Sequence, residues 1–68
     1  MSVARVTEIK SSSPTSFEDA VKEGIKRANK TLHNIRGAWV QDQEVLVDDN
    51  GEITEYRVLM KVTFILDD

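Results

Sequence analysis

Residues 52–66 read as a β-strand long enough to present two chemically different faces, and a chain of 68 residues is too short to cover both. Side chains alternate along a strand, so residues of equal parity share a face. One face is an unbroken apolar series that a single helix can bury: Tyr56, Val58, Met60, Val62, Phe64 and Leu66. The other, here named the open face, mixes apolar and charged groups: Ile53, Glu55, Arg57, Leu59, Lys61, Thr63 and Ile65. We therefore expect function on the open face.

The length predicts one domain over residues 1–68, near the size at which a lone hydrophobic core supplies only about 3–5 kcal/mol. Small domains often compensate with disulfides or a structural metal site, and this sequence lacks the residues for either. It contains no cysteine, and His33 is its single histidine, which excludes disulfides and a zinc site made by one chain. Oligomerisation is the remaining route to stability, and we expect the chain to use it.

The charge balance argues against nucleic acid as a partner. Nine Lys and Arg stand against twelve Asp and Glu, a formal net charge of −3, which is the wrong sign for binding phosphate backbones. The sequence also contains no apolar run of the length of a signal peptide or a membrane span. These features predict a cytoplasmic protein with no membrane or nucleic-acid partner.

The first half of the chain predicts a strand followed by a helix. β-Branched residues in Val3–Lys10 favour a strand that stops at a serine loop, residues 11–13. Ser13 followed by Pro14 is a helix start signal, and the helix is expected to end near His33 or Asn34. Its apolar residues recur at steps of three and four: Phe17, Ala20, Val21, Gly24, Ile25, Ala28 and Leu32.

The second half predicts a β-hairpin. Ile35–Val47 reads as a strand, and Asp48-Asp49-Asn50-Gly51 supplies a tight turn before the third strand returns antiparallel. The apolar positions of the second strand change parity near residues 42–44, which predicts a β-bulge there. The fold class is therefore α+β, with one helix packed across a three-stranded antiparallel sheet in the order β-α-β-β. Four residues of the second strand are expected to face away from the helix: Gly37, Trp39, Gln41 and Gln43.

Trp39, the only tryptophan, has two interpretations. On a face that looks away from the helix, its indole ring suits a stacking platform for a flat ligand, with a neighbouring Gln or Arg binding the polar edge of that ligand. Tryptophan is also enriched at subunit contacts whatever else a protein does, so the same residue suits an interface anchor.

With these elements placed, the chain resembles the dodecins, a family of small β-α-β-β proteins that assemble as hollow spheres of twelve copies. Three stretches carry the resemblance: Ser-Ser-Pro-Thr-Ser-Phe-Glu-Asp-Ala-Val after the first strand, Arg-Ala-Asn-Lys-Thr-Leu at the helix end, and Tyr-Arg-Val-Leu-Met-Lys-Val-Thr-Phe-Ile-Leu at the C-terminus. The resemblance implies a homododecamer whose sheets line the interior. It also implies binding, storage and buffering of a flavin, FMN or riboflavin, held between subunits.

Flavin-binding dodecins hold the ring with a tryptophan near the start of the second strand and a glutamine of the third. By position these fall on Gly37 and Arg57, so the chain departs from the pattern at both. Trp39 lies two residues along on the same face, a displacement of roughly 6.5–7 Å. The resemblance thus predicts a cofactor site at four residues: Gly37, Trp39, Gln41 and Arg57.

Flavin binding is the function we expect, and the departure keeps one alternative open: a dodecin-like shell that binds calcium or magnesium or is purely structural, without flavin. Symmetry axes can gather copies of one carboxylate into a site of oxygen ligands, and Asp42 and Glu44 are the candidate metal ligands. The acidic run at residues 48–52 is not a calcium loop, because alignment of its glycine places Leu46 at the first ligand position. No residue pattern names a nucleophile, a general base or a bound metal, so we do not expect an enzyme.

Overall fold

A computed structural model describes residues 3–66. It contains a strand β1 (Ala4–Ser13), a helix α1 (Phe17–Thr31) and two long strands, β2 (Ile35–Val47) and β3 (Ile53–Ile65). The strands form one antiparallel sheet in the order β1-β3-β2, so the last strand lies in the middle. This architecture confirms the β-α-β-β fold predicted from the sequence.

Helix α1 packs against β1 and β3 through small residues. Ala20, Gly24 and Ala28 are its buried positions, and they face the fully buried side chains of β3: Val58, Met60 and Val62. A Cβ added at Gly24 would lie 2.8 Å from both Met60 Cε and Ser11 Cβ, closer than such atoms approach. The helix therefore reaches the sheet only because residue 24 has no side chain.

The helix starts later than predicted, because the serine run belongs to the sheet. Residues 11–13 continue β1 and pair with residues 56–58 of β3, so the predicted serine loop and the start at Ser13-Pro14 are wrong. Ser16 is the N-cap, and its Oγ accepts the Asp19 backbone N–H at 2.9 Å. Ser13, itself buried, donates its hydroxyl to Asp19 Oδ2 at 2.6 Å, which joins the end of β1 to the first turn of α1.

The helix also ends earlier than predicted, at Thr31, with Leu32 as its C-cap. Asn34 has φ 63°, a left-handed conformation that asparagine tolerates, and it lies directly before β2. At the hairpin, Gly51 has φ 79°, and Asp48 Oδ1 accepts the backbone N–H groups of Asn50 and Glu52. Asp48 thus organises a turn, which confirms the interpretation of this acidic run as a hairpin.

The predicted bulge in β2 is present, and its position decides which side chains share a face. Val40 pairs with Met60 and Asp42 with Leu59, so Gln41 is the extra residue. Leu59 belongs to the open face, so its partner Asp42 also points to the open face. Val58 belongs to the helix side, so its partner Gln43 points to the helix side. The prediction that Gln43 shares a face with Trp39 is therefore wrong.

Candidate functional site on the open face of the sheet

The open face is assembled from all three strands, with β3 in the middle. Paired residues of neighbouring antiparallel strands point to the same side of a sheet, so the partners of the open-face residues of β3 also lie on the open face. From β2 these are Gly37 opposite Thr63, Trp39 opposite Lys61, Asp42 opposite Leu59 and Glu44 opposite Arg57. The predicted cofactor and metal residues, apart from the bulged Gln41, thus lie on one surface.

Trp39 occupies this surface as predicted and is 50% exposed. The ammonium Nζ of Lys61, its partner across the ladder, lies 6.0 Å from the ring centroid, at the outer range of a cation–π contact. A large part of the Trp39 surface therefore remains available to a flat ligand or to another subunit.

Gly37 leaves an opening beside Trp39. A Cβ at Gly37 would have nothing within 4 Å, so the strand has no packing reason for glycine there. Gln41 is exposed at the bulge and has no cross-strand partner in the ladder. Both residues are close to Trp39 along β2, as the sequence predicted.

Arg57 forms a salt bridge with Glu55 of the same strand. Its Nε donates to Glu55 Oε1 at 3.2 Å, and both side chains are about one-third exposed. Hydrogen bonds from the Ser12 hydroxyl and from Arg57, with a further contribution from the charge of Arg57, hold the pKa of Glu55 below its ordinary value, although burial acts in the opposite direction. The guanidinium is thereby oriented on the open face, with its remaining N–H groups available to an acceptor.

A hollow of about 410 Å³ lies on this face between β1, β2 and β3. Its charged lining combines Lys10 and Arg57 with two acids of β2, Asp42 and Glu44. Glu44 Oε1 is 4.0 Å from Lys10 Nζ, so this carboxylate is already close to a cation. Asp42 differs, since its carboxylate forms no hydrogen bond or ion pair with any residue in the 3–66 range.

Residues 3–66 of a single copy do not form a complete metal site. Residues 3–66 contain no group of three or more Asp, Glu, His or Cys side chains arranged to hold a metal ion. Asp42 and Glu44 line the same hollow, and their two carboxylates alone are fewer than the six to eight oxygen ligands that calcium takes.

Sequence reasoning missed the contribution of β1 to this site. Lys10 and Ser12 reach Glu44 and Glu55 because β1 continues alongside β3 as far as Ser13. The signal was present in the alternation of Ile9, Ser11 and Ser13 with Lys10 and Ser12, but a run of serines is typical of a loop. Pairing with β3 overrides that preference.

Between residues 3 and 66, no helix is both long and apolar enough to cross a membrane. The sequence profile of the Dodecin family matches residues 3–67. A protein named calcium dodecin from Mycobacterium tuberculosis is 44% identical over 64 residues, which cover 94% of this chain and 89% of that protein.

Solved structures are similar over almost the whole length. A dodecin from Streptomyces davaonensis superposes with a TM-score of 0.94 at 39% identity, covering 98% of this chain and 97% of that one. The structure of the M. tuberculosis calcium dodecin, described as a calcium-chelating antigen with a novel calcium-binding site, has a TM-score of 0.82 at 38% identity and covers 96% and 91%. With the fold, the family profile and these relatives in agreement, the chain belongs to the dodecin family.

Proposed function

We propose that this dodecin binds a divalent cation, calcium in the first instance, at a site that copies of the chain build together from their open faces. The observation that carries the proposal is Asp42, which the bulge at Gln41 turns onto the open face and whose carboxylate has no partner among residues 3–66. A relative that is 44% identical over 94% of the chain bears the name calcium dodecin, which supports the same ligand. The role is binding and storage, without catalysis.

The number of ligands that calcium requires implies that several copies of the chain share one site. Calcium takes six to eight oxygen ligands, and a symmetry axis multiplies each carboxylate by the number of copies that meet there. Asp42 is the stronger candidate, because Glu44 already has Lys10 at 4.0 Å. The chain accordingly works as a homo-oligomer, and a shell of twelve is the form that the family resemblance implies.

Thermal unfolding with and without calcium tests this function. Protein stripped with a chelator is melted in buffer, in calcium, in magnesium, and in potassium at equal ionic strength. We expect calcium to raise the melting temperature of the native protein by at least about 4 °C, since a ligand that binds only the folded state stabilises it. Asp42→Asn removes most of this shift, whereas Asp49→Asn, the matched change in the hairpin turn, retains it. Equal shifts in both variants, or none in the native protein, contradict the proposal.

A second candidate function is flavin binding, favoured by the half-exposed Trp39 beside the open space at Gly37. An isoalloxazine ring can stack on the free half of the indole, with Arg57 donating to an oxygen of the ring or to a phosphate. FMN or riboflavin would then lie between subunits on the same face as the cation.

Titration of FMN and riboflavin with metal-free protein tests the second candidate. Saturable quenching of flavin fluorescence that is lost in Trp39→Ala supports a stacking role, while Trp39→Phe should retain part of it. If the fluorescence of neither flavin is quenched, flavin binding is contradicted, and the cation remains the proposed ligand of the open face.

A further inference from the structure

The hollow on the open face already contains a cation of the chain itself, the ammonium group of Lys10. Lys10 Nζ lies 4.0 Å from Glu44 Oε1, and both side chains are more than half exposed. The two residues face each other diagonally across β3, because Lys10 lies opposite Leu59 and Glu44 lies opposite Arg57. A metal ion that uses Glu44 as a ligand therefore competes with Lys10 for the same carboxylate.

The other positive charge of the hollow is engaged elsewhere. The lining contains two basic side chains, Lys10 and Arg57, and two acids, Asp42 and Glu44. Arg57 Nε is paired with Glu55 at 3.2 Å, so its charge is balanced by an acid that does not line this hollow. Among residues 3–66, the salt bridge of Lys10 is with Glu44 alone. Lys10 is thus the side chain whose charge most directly opposes a cation at Asp42 and Glu44.

The ammonium group has room to leave Glu44. A second hollow of about 250 Å³ adjoins the first, and its lining includes Lys10, Ser12, Arg57 and the acid Glu55. The lysine side chain is a flexible four-carbon stem that ends in a compact, strongly hydrated charge. Rotation about its side-chain bonds moves the ammonium from Glu44 toward Glu55 or into water without a change in the backbone.

We propose that Lys10 regulates the cation site as a competitor: its ammonium pairs with Glu44 in the cation-free protein and is displaced when a divalent cation binds to Asp42 and Glu44. This inference rests on the proposed cation-binding function and adds to it the residue that limits the affinity. A doubly charged ion attracts a carboxylate more strongly than an ammonium group does, whereas a singly charged ion has no such advantage. We therefore expect the site to respond to divalent cations and to ignore potassium.

Calorimetric titration of chelator-stripped, assembled protein with calcium tests the role of Lys10. Lys10→Met keeps an unbranched side chain but removes the charge, so Glu44 is no longer occupied. We expect this variant to bind calcium about two- to fivefold more tightly than the native protein, the range that the strength of an exposed ion pair allows. Lys10→Arg keeps the positive charge and should stay closer to the native affinity. Sedimentation checks that each variant is assembled, and Lys10→Gln replaces Lys10→Met if the latter is not.

The matched control is Lys22→Met, which also removes one lysine from an exposed salt bridge. Lys22 Nζ lies 3.1 Å from Glu18 Oε1 on α1, on the other side of the sheet from the hollow. The change in net charge is the same as in Lys10→Met, but solvent and salt screen this charge from the open face. Lys22→Met should therefore bind calcium as the native protein does. Equal gains in affinity in Lys22→Met and Lys10→Met would mean that net charge, and not the contact with Glu44, limits binding.

Combination with Glu44→Gln tests the contact itself. Where Glu44 has lost its charge, Lys10→Met should raise the affinity for calcium less than it does in the native background, because the ammonium no longer occupies a ligand. Equal gains in both backgrounds, or equal affinities of Lys10→Met and the native protein, overturn the competitor role and leave calcium binding intact. Absence of calcium binding in both the native protein and Lys10→Met contradicts the cation-binding function, and the competitor role with it. Binding by Lys10→Met alone supports the competitor role.

Discussion

At the scale of single residues, the candidate site depends on one bulged residue. Without Gln41 as the extra residue of β2, Asp42 would point to the helix side and Gln43 to the open face. The sequence predicted a bulge from the parity of Val45, but it placed the change between residues 42 and 44. A difference of one residue in register exchanges the two faces, so Gln43 was assigned to the wrong face. The role of Asp42 and Glu44 as ligands stays a prediction.

The Glu55 carboxylate provides a prediction of pH dependence at this scale. Its pKa is lowered in the folded chain, so its contribution to stability is present above the pKa of the unfolded chain and is lost as pH falls through the folded value. We expect Glu55→Gln to lower the free energy of unfolding at about pH 7, and we expect this loss to shrink as pH falls through the folded pKa, because the native residue then becomes protonated as well. Urea unfolding over a series of decreasing pH values measures the difference.

Glu52→Gln is the control for this prediction, because it removes one exposed carboxylate of the same hairpin without a hydrogen-bonded cation. A loss of stability in Glu55→Gln that does not change with pH would show that the Ser12 and Arg57 contacts do not act through the charge of Glu55.

At the scale of elements, the sequence predicted type and order well, because each element carries a clear period. The bounds of β2 were predicted as observed, and the apolar residues of α1 lie on its packed side. The end of β1 was missed because local composition favoured a loop, while its partners on β3 lie more than 40 residues away in the chain. The close contact at Gly24 could not be predicted from the sequence either, because helical periodicity does not give the distance between helix and sheet.

Gly24→Ala tests that contact. The added methyl group would meet Met60 and Ser11, so the helix must move outward or the core must rearrange. The higher helix propensity of alanine, about 1 kcal/mol, opposes this cost. We expect a net loss of about 1–3 kcal/mol in the free energy of unfolding, as is usual for overpacked cores.

Gly37→Ala is the matched control for this change, because nothing lies within 4 Å of the added Cβ and the residue is in an exposed strand. It should be neutral or slightly stabilising. Equal stability of Gly24→Ala and the native protein would contradict the close contact of Gly24 with Met60 and Ser11.

At the scale of the whole molecule, the chain leaves much of its apolar surface uncovered. The Cα trace extends 53 Å in its long direction and only 14 Å in its short one, and β2 is exposed over most of its length. Surfaces of this kind indicate contacts between copies. The proposed shared cation site on the open face needs such contacts, because residues 3–66 of one copy do not supply enough ligands.

Leu59→Glu links assembly to ligand binding at this scale. Leu59 is half-buried on the open face opposite Asp42, and a carboxylate there disfavours contact with a neighbouring acidic copy. We expect the variant to dissociate at concentrations where the native protein is assembled and to lose its response to calcium as well. Thr15→Glu, which adds the same charge in the exposed segment before α1, should keep both properties. A dissociated Leu59→Glu that still binds calcium would contradict a shared site.

The most direct measurement is a calcium titration of chelator-stripped native protein at two protein concentrations, above and below the midpoint of assembly. If copies build the site together, the assembled protein shows saturable binding with fewer than one strong site per chain, and the dissociated protein shows none. Equal affinity at both concentrations would place the site within one chain. Absence of binding by the assembled protein would contradict the cation-binding function itself.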